Sequence, residues 1–165
     1  MRAFEFALNK DGSKQFENAK IPVYQTKNSA GADFYCAEAV IIPSVFNLSK
    51  EYMYKPTLVH TGIKANMNED EVLELYNRSS NPGKLGLILA NGVGVVDADY
   101  YNNPDNDGEI MFAFYNMSDE DIYLQPGDRI GQGVFKKFLK PENAIVNEKD
   151  RTGGFGSTDN STDKQ

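Results

Sequence analysis

Short apolar runs separated by turn residues recur along the chain, and this pattern constrains the fold more than any other feature. The segments between the runs are rich in Asn, Pro, Gly and Asp, as at 81–83 and 125–128, and such residues favour tight turns. Many short strands at this spacing are typical of a β-sandwich, a barrel or a jelly roll. The expected strands span 40–46, 57–65, 72–76, 85–90, 93–96, 109–115, 121–124 and 130–138. We expect no long helix, only a short one near 80–87 or around 48–54.

The run at 109–115 is apolar on both of its faces. In a strand, Phe112 and Phe114 would lie on one face and Met111 and Tyr115 on the other. A strand covered on both sides in a small β domain implies either two packed sheets or a subunit interface. The pattern therefore predicts an oligomer.

Composition narrows the class of protein. The chain has 165 residues, enough for one domain with a core, and its net charge of −7 argues against binding to a nucleic-acid backbone. The single Cys36 cannot form an internal disulfide, and the single His60 leaves too few soft ligands for a zinc site. No apolar run is long enough to span a membrane. We expect a cytoplasmic protein, or one of the host cytoplasm if viral, with neither nucleic acid nor membrane as a partner.

The segment NGVGVVDADY at 91–100 has two interpretations. Gly92 and Gly94 allow a tight bend or the close approach of a ligand, and Asn91 offers an amide that can pair with the edge of a planar base. Asn-Gly is also the commonest signal of a plain β-hairpin, with Asp97 and Tyr100 then on its rim. Spacing alone favours the hairpin.

Two further segments carry polar groups suited to phosphate. NRSSNPG at 77–83 offers the cation of Arg78, two hydroxyls and free backbone N–H groups, although an ordinary turn explains these residues as well. RTGGFGST at 151–158 places Phe155 among glycines. A linker has no use for the phenylalanine, and a core strand cannot use the glycines.

Taken together, five segments resemble the motifs of the trimeric dUTPase family in their order and approximate spacing. They are SAGADFYC (29–36), NRSS (77–80), NGVGVVDADY (91–100), PGDRIGQ (126–132) and RTGGFGST (151–158). The resemblance runs from about residue 20 to 158. It implies a distorted jelly roll of the β-clip type and a homotrimer whose active sites use all three chains. It also implies a β domain at 1–140 and a C-terminal arm at 141–165, which is exchanged between subunits.

The resemblance implies hydrolysis of dUTP to dUMP and diphosphate, which keeps uracil out of DNA and supplies dUMP for thymidylate synthesis. Asp97 would act as the general base, taking a proton from the water that attacks the α-phosphorus. Asn91 and the adjoining backbone would read the uracil edge, and Tyr100 would lie under the deoxyribose and exclude a 2′-hydroxyl. The other substrate contacts implied on this side are Gly94, Val95, Val96 and Met111.

The resemblance assigns the triphosphate to the remaining motifs. Ser79 would contact the oxygen that bridges the α- and β-phosphates, and Arg78 and Ser80 would flank it. Gln132 would bind a phosphate. Mg²⁺ would be held mainly by the triphosphate and water, with no direct protein ligand, and Asp33 would act only through water. The lid contacts implied from a neighbouring chain are Arg151, Phe155, Gly156, Ser157 and Thr158.

The chain also departs from the family pattern in places, and two alternatives remain open. The residues NNPDND at 102–107 intervene before Gly108 and predict a longer hairpin loop, which could present a surface to a regulatory protein. Gly131 stands where the family commonly has alanine, which we expect to be a tolerable change. A dCTP deaminase or a bifunctional relative shares the fold but needs a glutamate near the pyrimidine. A dUTPase scaffold with an added protein-binding role is the other alternative.

Overall fold

The structure, a computed structural model, describes residues 1–146, and their regular secondary structure consists almost entirely of β-strands joined by turns and loops. The strands are β1 (Ala3–Phe6), β2 (Ala32–Tyr35), β3 (Val40–Ile42), β4 (Thr57–His60), β5 (Ile63–Asn66), β6 (Glu71–Asn77), β7 (Leu87–Leu89), β8 (Gly94–Asp97), β9 (Met111–Asn116), β10 (Ile122–Leu124) and β11 (Arg129–Lys137). One short helix, α1, spans Ser80–Leu85, and 3-10 turns occupy Val45–Asn47 and Ala98–Tyr100. The all-β prediction is confirmed.

Every predicted run contains a strand, but the run at 57–65 contains two. It divides into β4 and β5 at Thr61 and Gly62, because Gly62 has a φ of +65°, a left-handed conformation that strand residues avoid. The helix predicted near 80–87 is α1, whereas 48–54 forms only turns. β1 and β2 lie outside every predicted run.

The described strands pair antiparallel in four sheets. The largest has the order β2-β11-β6-β8, and a three-stranded sheet has the order β4-β9-β7. Two smaller sheets pair β1 with β5 and β3 with β10. β11 is central, since it pairs with β2 along its first half and with β6 from Gly131 to Lys137.

The core lies between the sheets and is built around a chain of aromatic rings. Phe34 of β2 lies 5.5 Å from Phe112 of β9, and Phe4 of β1 meets Phe34 edge-on at 5.3 Å. Phe112 fills the space above Gly131, where a Cβ would lie 2.1 Å from its ring. The tolerance of glycine at this position stays a prediction, and in this chain the Phe112 ring occupies the place that an alanine methyl group would take.

One face of the four-stranded sheet turns away from this core, and we call it the outer face. Residues opposite one another in register share a face. From one end of the strands to the other, the outer face consists of the row Asp33, Gln132 and Tyr76, the row Val134, Glu74 and Val95, and the row Lys136, Val72 and Asp97. Polar groups thus lie at both ends of the face, while Val95 in the middle is 65% exposed.

The three-stranded sheet also has an outward face, and it is apolar. Phe112 and Phe114 of β9 are buried in the core, as predicted, while Tyr115 on the opposite face is half-buried. Leu58 of β4 and Ile88 of β7 share the outward face of this sheet and are exposed. The two-faced character of β9 therefore reflects one packed face and one apolar surface.

Among residues 1–146, no helix has both the length and the apolar character needed to cross a bilayer.

Candidate active site

One end of the outer face brings three of the five motifs together, and we call it the arginine end (Asp33, Arg78, Arg129 and Gln132). The Nη1 atom of Arg129 donates to Asp33 Oδ2 at 3.2 Å. The Nη1 atom of Arg78 donates to the backbone oxygen of Arg129, also at 3.2 Å. Gln132 lies directly opposite Asp33 in register. Side chains predicted to hold phosphates therefore lie at one place within a single chain.

The segment at 77–83 leaves its hydroxyls available at this end. Ser79 is exposed and precedes α1 as its N-cap, yet its hydroxyl makes no capping hydrogen bond within the described residues. The turn is held instead by the buried Asn81, whose Nδ2 donates to Asn77 Oδ1 at 2.8 Å and to the Ile130 oxygen at 2.9 Å. The ordinary-turn interpretation is correct for Asn81, and it leaves Ser79 and the half-buried Ser80 free of that task.

The opposite end of the sheet holds Asp97 and Tyr100, and we call it the tyrosine end. Asp97 ends β8, is half-buried and lies opposite Val72 of β6. The chain then makes a 3-10 turn that carries Tyr100, which is only 8% exposed. The Tyr100 hydroxyl donates to the Glu109 backbone oxygen at 3.2 Å and accepts from Asn106 Nδ2 at 2.8 Å.

The plain hairpin favoured by spacing at 91–100 is wrong. β7 before Asn91 pairs with β9 in the three-stranded sheet, whereas β8 after it pairs with β6 in the four-stranded sheet. The Gly92 N–H donates to the Leu89 oxygen at 3.0 Å, so a tight turn does form, but it is a corner between two sheets. The corner leaves Asn91 exposed at the surface.

The two ends are far apart in one chain. Asp97 lies opposite Val72, and Arg78 follows β6 six residues later along the strand direction. At about 3.3 Å per residue this separates the two backbones by roughly 20 Å. A general base must come within about 3 Å of the proton it removes, so one chain does not bring Asp97 to phosphates bound by its own Arg78.

The remaining predicted contacts near the tyrosine end differ in exposure. Gly94 is buried, Val95 points outward, and Val96 packs against the core. Met111 begins β9 opposite His60 and is half-buried. Arg151, Phe155, Gly156, Ser157 and Thr158 lie outside the described residues.

Sequence reasoning missed Glu109, which supports the tyrosine end. Its buried carboxylate pairs with His60 Nδ1 at 2.9 Å and accepts from the N–H groups of Thr61 and Gly62 at 3.1 and 3.0 Å. The hydrogen bond to Glu109 raises the pKa of His60 above its ordinary value, although partial burial opposes the shift. His60 therefore pairs with a residue that lies 49 positions away in the chain, where a single sequence gives no signal of pairing.

Cys36 is fully buried. Burial raises the pKa of its thiol to about 11. Because the thiolate is the reactive form, this cysteine is inert near neutral pH.

A magnesium ion is implied by the family resemblance, and the arginine end contains a suitable group. Within residues 1–146, no three His, Cys, Asp or Glu side chains are grouped so that they could hold a metal ion. Asp33 supplies a carboxylate beside the predicted phosphate contacts, and oxygen is the donor that Mg²⁺ prefers. One carboxylate fits an ion that takes most of its ligands from substrate and water.

Comparisons with known proteins point to one family. A family model described as dUTPase matches residues 17–159. The deoxyuridine 5′-triphosphate nucleotidohydrolase of Lactococcus lactis subsp. lactis (strain IL1403) is 45% identical over 148 residues, covering 87% of this chain and 92% of the relative. The enzyme of the same name from Wolinella succinogenes is 36% identical over 149 residues, covering 88% of this chain and 90% of the relative.

Solved structures give the same result for the fold. The crystal structure of a dUTPase from Streptococcus mutans matches with a TM-score of 0.72 and 42% identity, covering 86% of this chain and 99% of that one. A mutant dUTPase from phage phi11 of S. aureus, which coordinates a structural Mg(II) ion, matches with a TM-score of 0.65 and 20% identity, covering 90% of this chain and 97% of that one. At that identity the second match supports the fold alone.

Proposed function

The chain belongs to the dUTPase family, and on this premise we propose that it hydrolyses dUTP to dUMP and diphosphate at sites shared between copies of the chain. The observation that carries the reaction is the 45% identity to a deoxyuridine 5′-triphosphate nucleotidohydrolase over 87% of this chain. Both curated relatives described above are nucleotidohydrolases, which favours hydrolysis over the deaminase alternative. The product dUMP would feed thymidylate synthesis, and removal of dUTP would keep uracil out of DNA.

The arginine end would hold the triphosphate. Arg78 offers a guanidinium that matches phosphate geometry, and the exposed Ser79 hydroxyl lies beside it to reach the oxygen bridging the α- and β-phosphates. Ser80 and Gln132 would add hydrogen bonds from either side. The ion pair with Asp33 holds the guanidinium of Arg129 at this end of the sheet. The net charge of the chain is −7, so the bound metal would have to offset part of the phosphate charge.

Mg²⁺ would be bound with the triphosphate at this end. It would offset the phosphate charge and hold the triphosphate in one conformation. Asp33 is the residue that would hold it, through water.

The tyrosine end would supply the chemistry and the selection of the nucleoside. Asp97 would take the proton from the attacking water, whose oxygen forms the new bond to the α-phosphorus while diphosphate leaves. Tyr100 would lie under the deoxyribose. Asn91, exposed at the corner between the sheets, would pair with the uracil edge together with the backbone of Gly94, Val95 and Val96, and Met111 would contact the substrate nearby.

Each active site would therefore combine the arginine end of one chain with the tyrosine end of another, in a homotrimer. The separation of roughly 20 Å between the two ends in one chain supports this combination. The exposed Val95 on the four-stranded sheet, and the exposed Leu58 and Ile88 on the three-stranded sheet, give two apolar surfaces for contacts between chains. The lid residues at 151–158, including Arg151, Phe155, Gly156, Ser157 and Thr158, would close the site from a third chain by stacking on the uracil and binding the phosphates.

The regulatory protein partner and the cellular localisation stay predictions. A regulatory protein could bind the loop at 102–107, where Pro104 and Asp105 are exposed. The cytoplasmic localisation inferred from the single cysteine belongs with them.

The function is tested by diphosphate release from dUTP beside dCTP, dTTP and UTP, each with and without Mg²⁺. We expect rapid diphosphate release from dUTP but not from dCTP, dTTP or UTP. We also expect the rate with dUTP to depend strongly on Mg²⁺. Ammonia release from dCTP would support the deaminase alternative instead, and equal rates with dUTP and UTP would contradict the sugar-selective site.

A further inference from the structure

The loop at 102–107 is bound to the residue that we place under the sugar. We propose that Asn106 in this loop is a positioning residue: it holds the Tyr100 ring so that a ribonucleotide is rejected. The inference rests on the proposed function, because it assigns a part in substrate selection to a residue outside the five motifs. It gives the loop a task within the enzyme that is independent of any protein partner.

The contact between Asn106 and Tyr100 is made at the far end of the ring. Asn106 Nδ2 donates to the Tyr100 hydroxyl at 2.8 Å and to the Glu109 backbone oxygen at 3.2 Å. The same hydroxyl donates to the Glu109 oxygen at 3.2 Å. The three groups form a closed triangle, so the phenol cannot swing without breaking two hydrogen bonds.

Asn106 is itself held at its amide oxygen and at its backbone oxygen. Its Oδ1 accepts from the Gly108 N–H at 3.1 Å, and its backbone oxygen accepts from Gln15 Nε2 at 3.0 Å and from the Glu109 N–H at 3.1 Å. A side chain fixed at both its amide nitrogen and its amide oxygen presents the nitrogen in one direction. It is therefore preorganised to hold Tyr100.

The rest of the loop is anchored from below by a buried lysine. Lys64 Nζ donates to Asn102 Oδ1 at 2.6 Å and to Asp107 Oδ2 at 2.8 Å, and its side chain is only 8% exposed. The same Asp107 oxygen accepts from the Leu8 N–H at 2.8 Å. Both ends of the inserted residues are thus tied to β5 and to the segment after β1.

The loop returns against the backbone of Tyr100. Gly108 has a φ of +77°, and a Cβ there would lie 2.5 Å from the Tyr100 backbone oxygen. Only glycine permits this approach. The insertion and the 3-10 turn that carries Tyr100 therefore form one unit, in which Asn106 contacts the ring and Gly108 contacts the backbone.

Exclusion of a 2′-hydroxyl by a ring depends on where that ring is held, because a displacement of about 1 Å is enough to admit or misplace a reacting group. Release of the hydroxyl tether should let the ring yield to ribose. Deoxyribose needs no extra space, so the rate with dUTP should change less than the rate with UTP.

The test measures kcat/KM for dUTP and for UTP in Asn106→Ala, Tyr100→Phe and the double variant, with thermal melting of each. We expect each single variant to lower the ratio of the dUTP value to the UTP value by about threefold to tenfold, the effect of one hydrogen bond. Because both substitutions remove the same contact, the double variant should be no worse than either single variant.

Asp105→Ala is the matched control. Asp105 lies in the same loop and is exposed, and its carboxylate takes part in none of the hydrogen bonds that tie the loop to Tyr100. This variant should keep the wild-type ratio of the two kcat/KM values.

Several outcomes overturn the inference while leaving the proposed function intact. A wild-type enzyme that hydrolyses dUTP, beside an Asn106→Ala variant with unchanged discrimination against UTP, removes Asn106 from substrate selection. Multiplicative effects in the double variant show that the two residues act separately. If Asn106→Ala does not fold, Tyr100→Phe decides alone, since unchanged discrimination in that variant shows that the hydroxyl tether has no role. Failure of the wild-type protein to act on dUTP refutes the proposed function itself.

Discussion

The arginine end and the tyrosine end of the four-stranded sheet are built in different ways. At the arginine end, charged side chains from separate segments meet near the surface, and the Arg129 side chain is 45% exposed while paired with Asp33. At the tyrosine end, the buried Tyr100 and Glu109 are held by hydrogen bonds that involve the backbone. Exposed charges can adjust to a flexible triphosphate, whereas a buried hydrogen-bonded network keeps a ring in one place. The difference supports the proposal that the first end binds the triphosphate and that the second selects the sugar and carries the chemistry.

The largest expected effect is at the tyrosine end. Asp97→Asn should lower kcat for diphosphate release by ~10²–10⁴-fold, the contribution of a positioned general base. Because the phosphates would be bound at the other end, the variant should still bind dUTP when measured by calorimetry. Asp105→Asn, an equal change of charge in the neighbouring loop, is the control and should keep wild-type turnover. Near-normal turnover in Asp97→Asn would falsify the assignment of the base.

The next effect tests whether the two ends come from different chains. Asp97→Asn and Arg78→Ala each disable one end, so each variant alone should be almost inactive. When the two are coexpressed, about a quarter of the sites should combine an intact tyrosine end from one chain with an intact arginine end from another. We therefore expect recovery of about a quarter of wild-type diphosphate release. No recovery from mixed oligomers would show that both ends of one chain serve the same site, contrary to the separation along β6.

Sequence alone predicted the class of fold well, because the alternation of apolar residues and turn residues is a local signal. It placed β6 and β11 close to their observed bounds. It could not tell that the turn after Asn91 joins two sheets, because an Asn-Gly corner and an Asn-Gly hairpin have the same local chemistry. Packing across the core decides which strands pair. These contacts join residues that are far apart in the sequence, so no short segment of the sequence reveals them.

The same limit applies to the site. The resemblance singled out Asp33, Arg78 and Gln132, and the structure brings these residues to one end of the sheet. It gave no hint of Asn106, because this residue lies in a loop that departs from the family pattern. It gave no hint of Glu109 either, because its partner His60 lies 49 residues away in the chain. Residues that hold a site in place depend on this chain's own tertiary structure, whereas residues that touch the substrate are recognisable from motifs.

A smaller effect, on the free energy of unfolding, is expected from a substitution in the core beneath the arginine end. Gly131→Ala places a methyl group 2.1 Å from the Phe112 ring and should lower the free energy of unfolding by about 1–3 kcal/mol, the usual cost of overpacking. Gly83→Ala is the matched control, since a Cβ there meets nothing within 4 Å and the residue lies in α1. The control should stabilise by about 0.4–1 kcal/mol. Chemical denaturation measures both, and equal stability of the two variants would show that Phe112 moves aside without cost.

The smallest effect concerns pH and belongs to the tyrosine end. The hydrogen bond to Glu109 raises the pKa of His60 in the folded protein, and the nearby Glu38 adds to the shift. A raised folded pKa means that the stabilisation is fully present below the unfolded value of about 6.5 and is lost as pH rises through the folded value. Because the side chain of His60 is 34% exposed, solvent screening should limit the effect to less than about 1 kcal/mol. His60→Gln should remove this pH dependence from the free energy of unfolding. The free energy is measured between about pH 5.5 and 8.5, which spans the unfolded pKa of about 6.5. If the free energy of unfolding changes equally with pH in the wild type and in His60→Gln, the pH dependence belongs to other groups. In that case the N–H groups of Thr61 and Gly62, and not His60, stabilise Glu109.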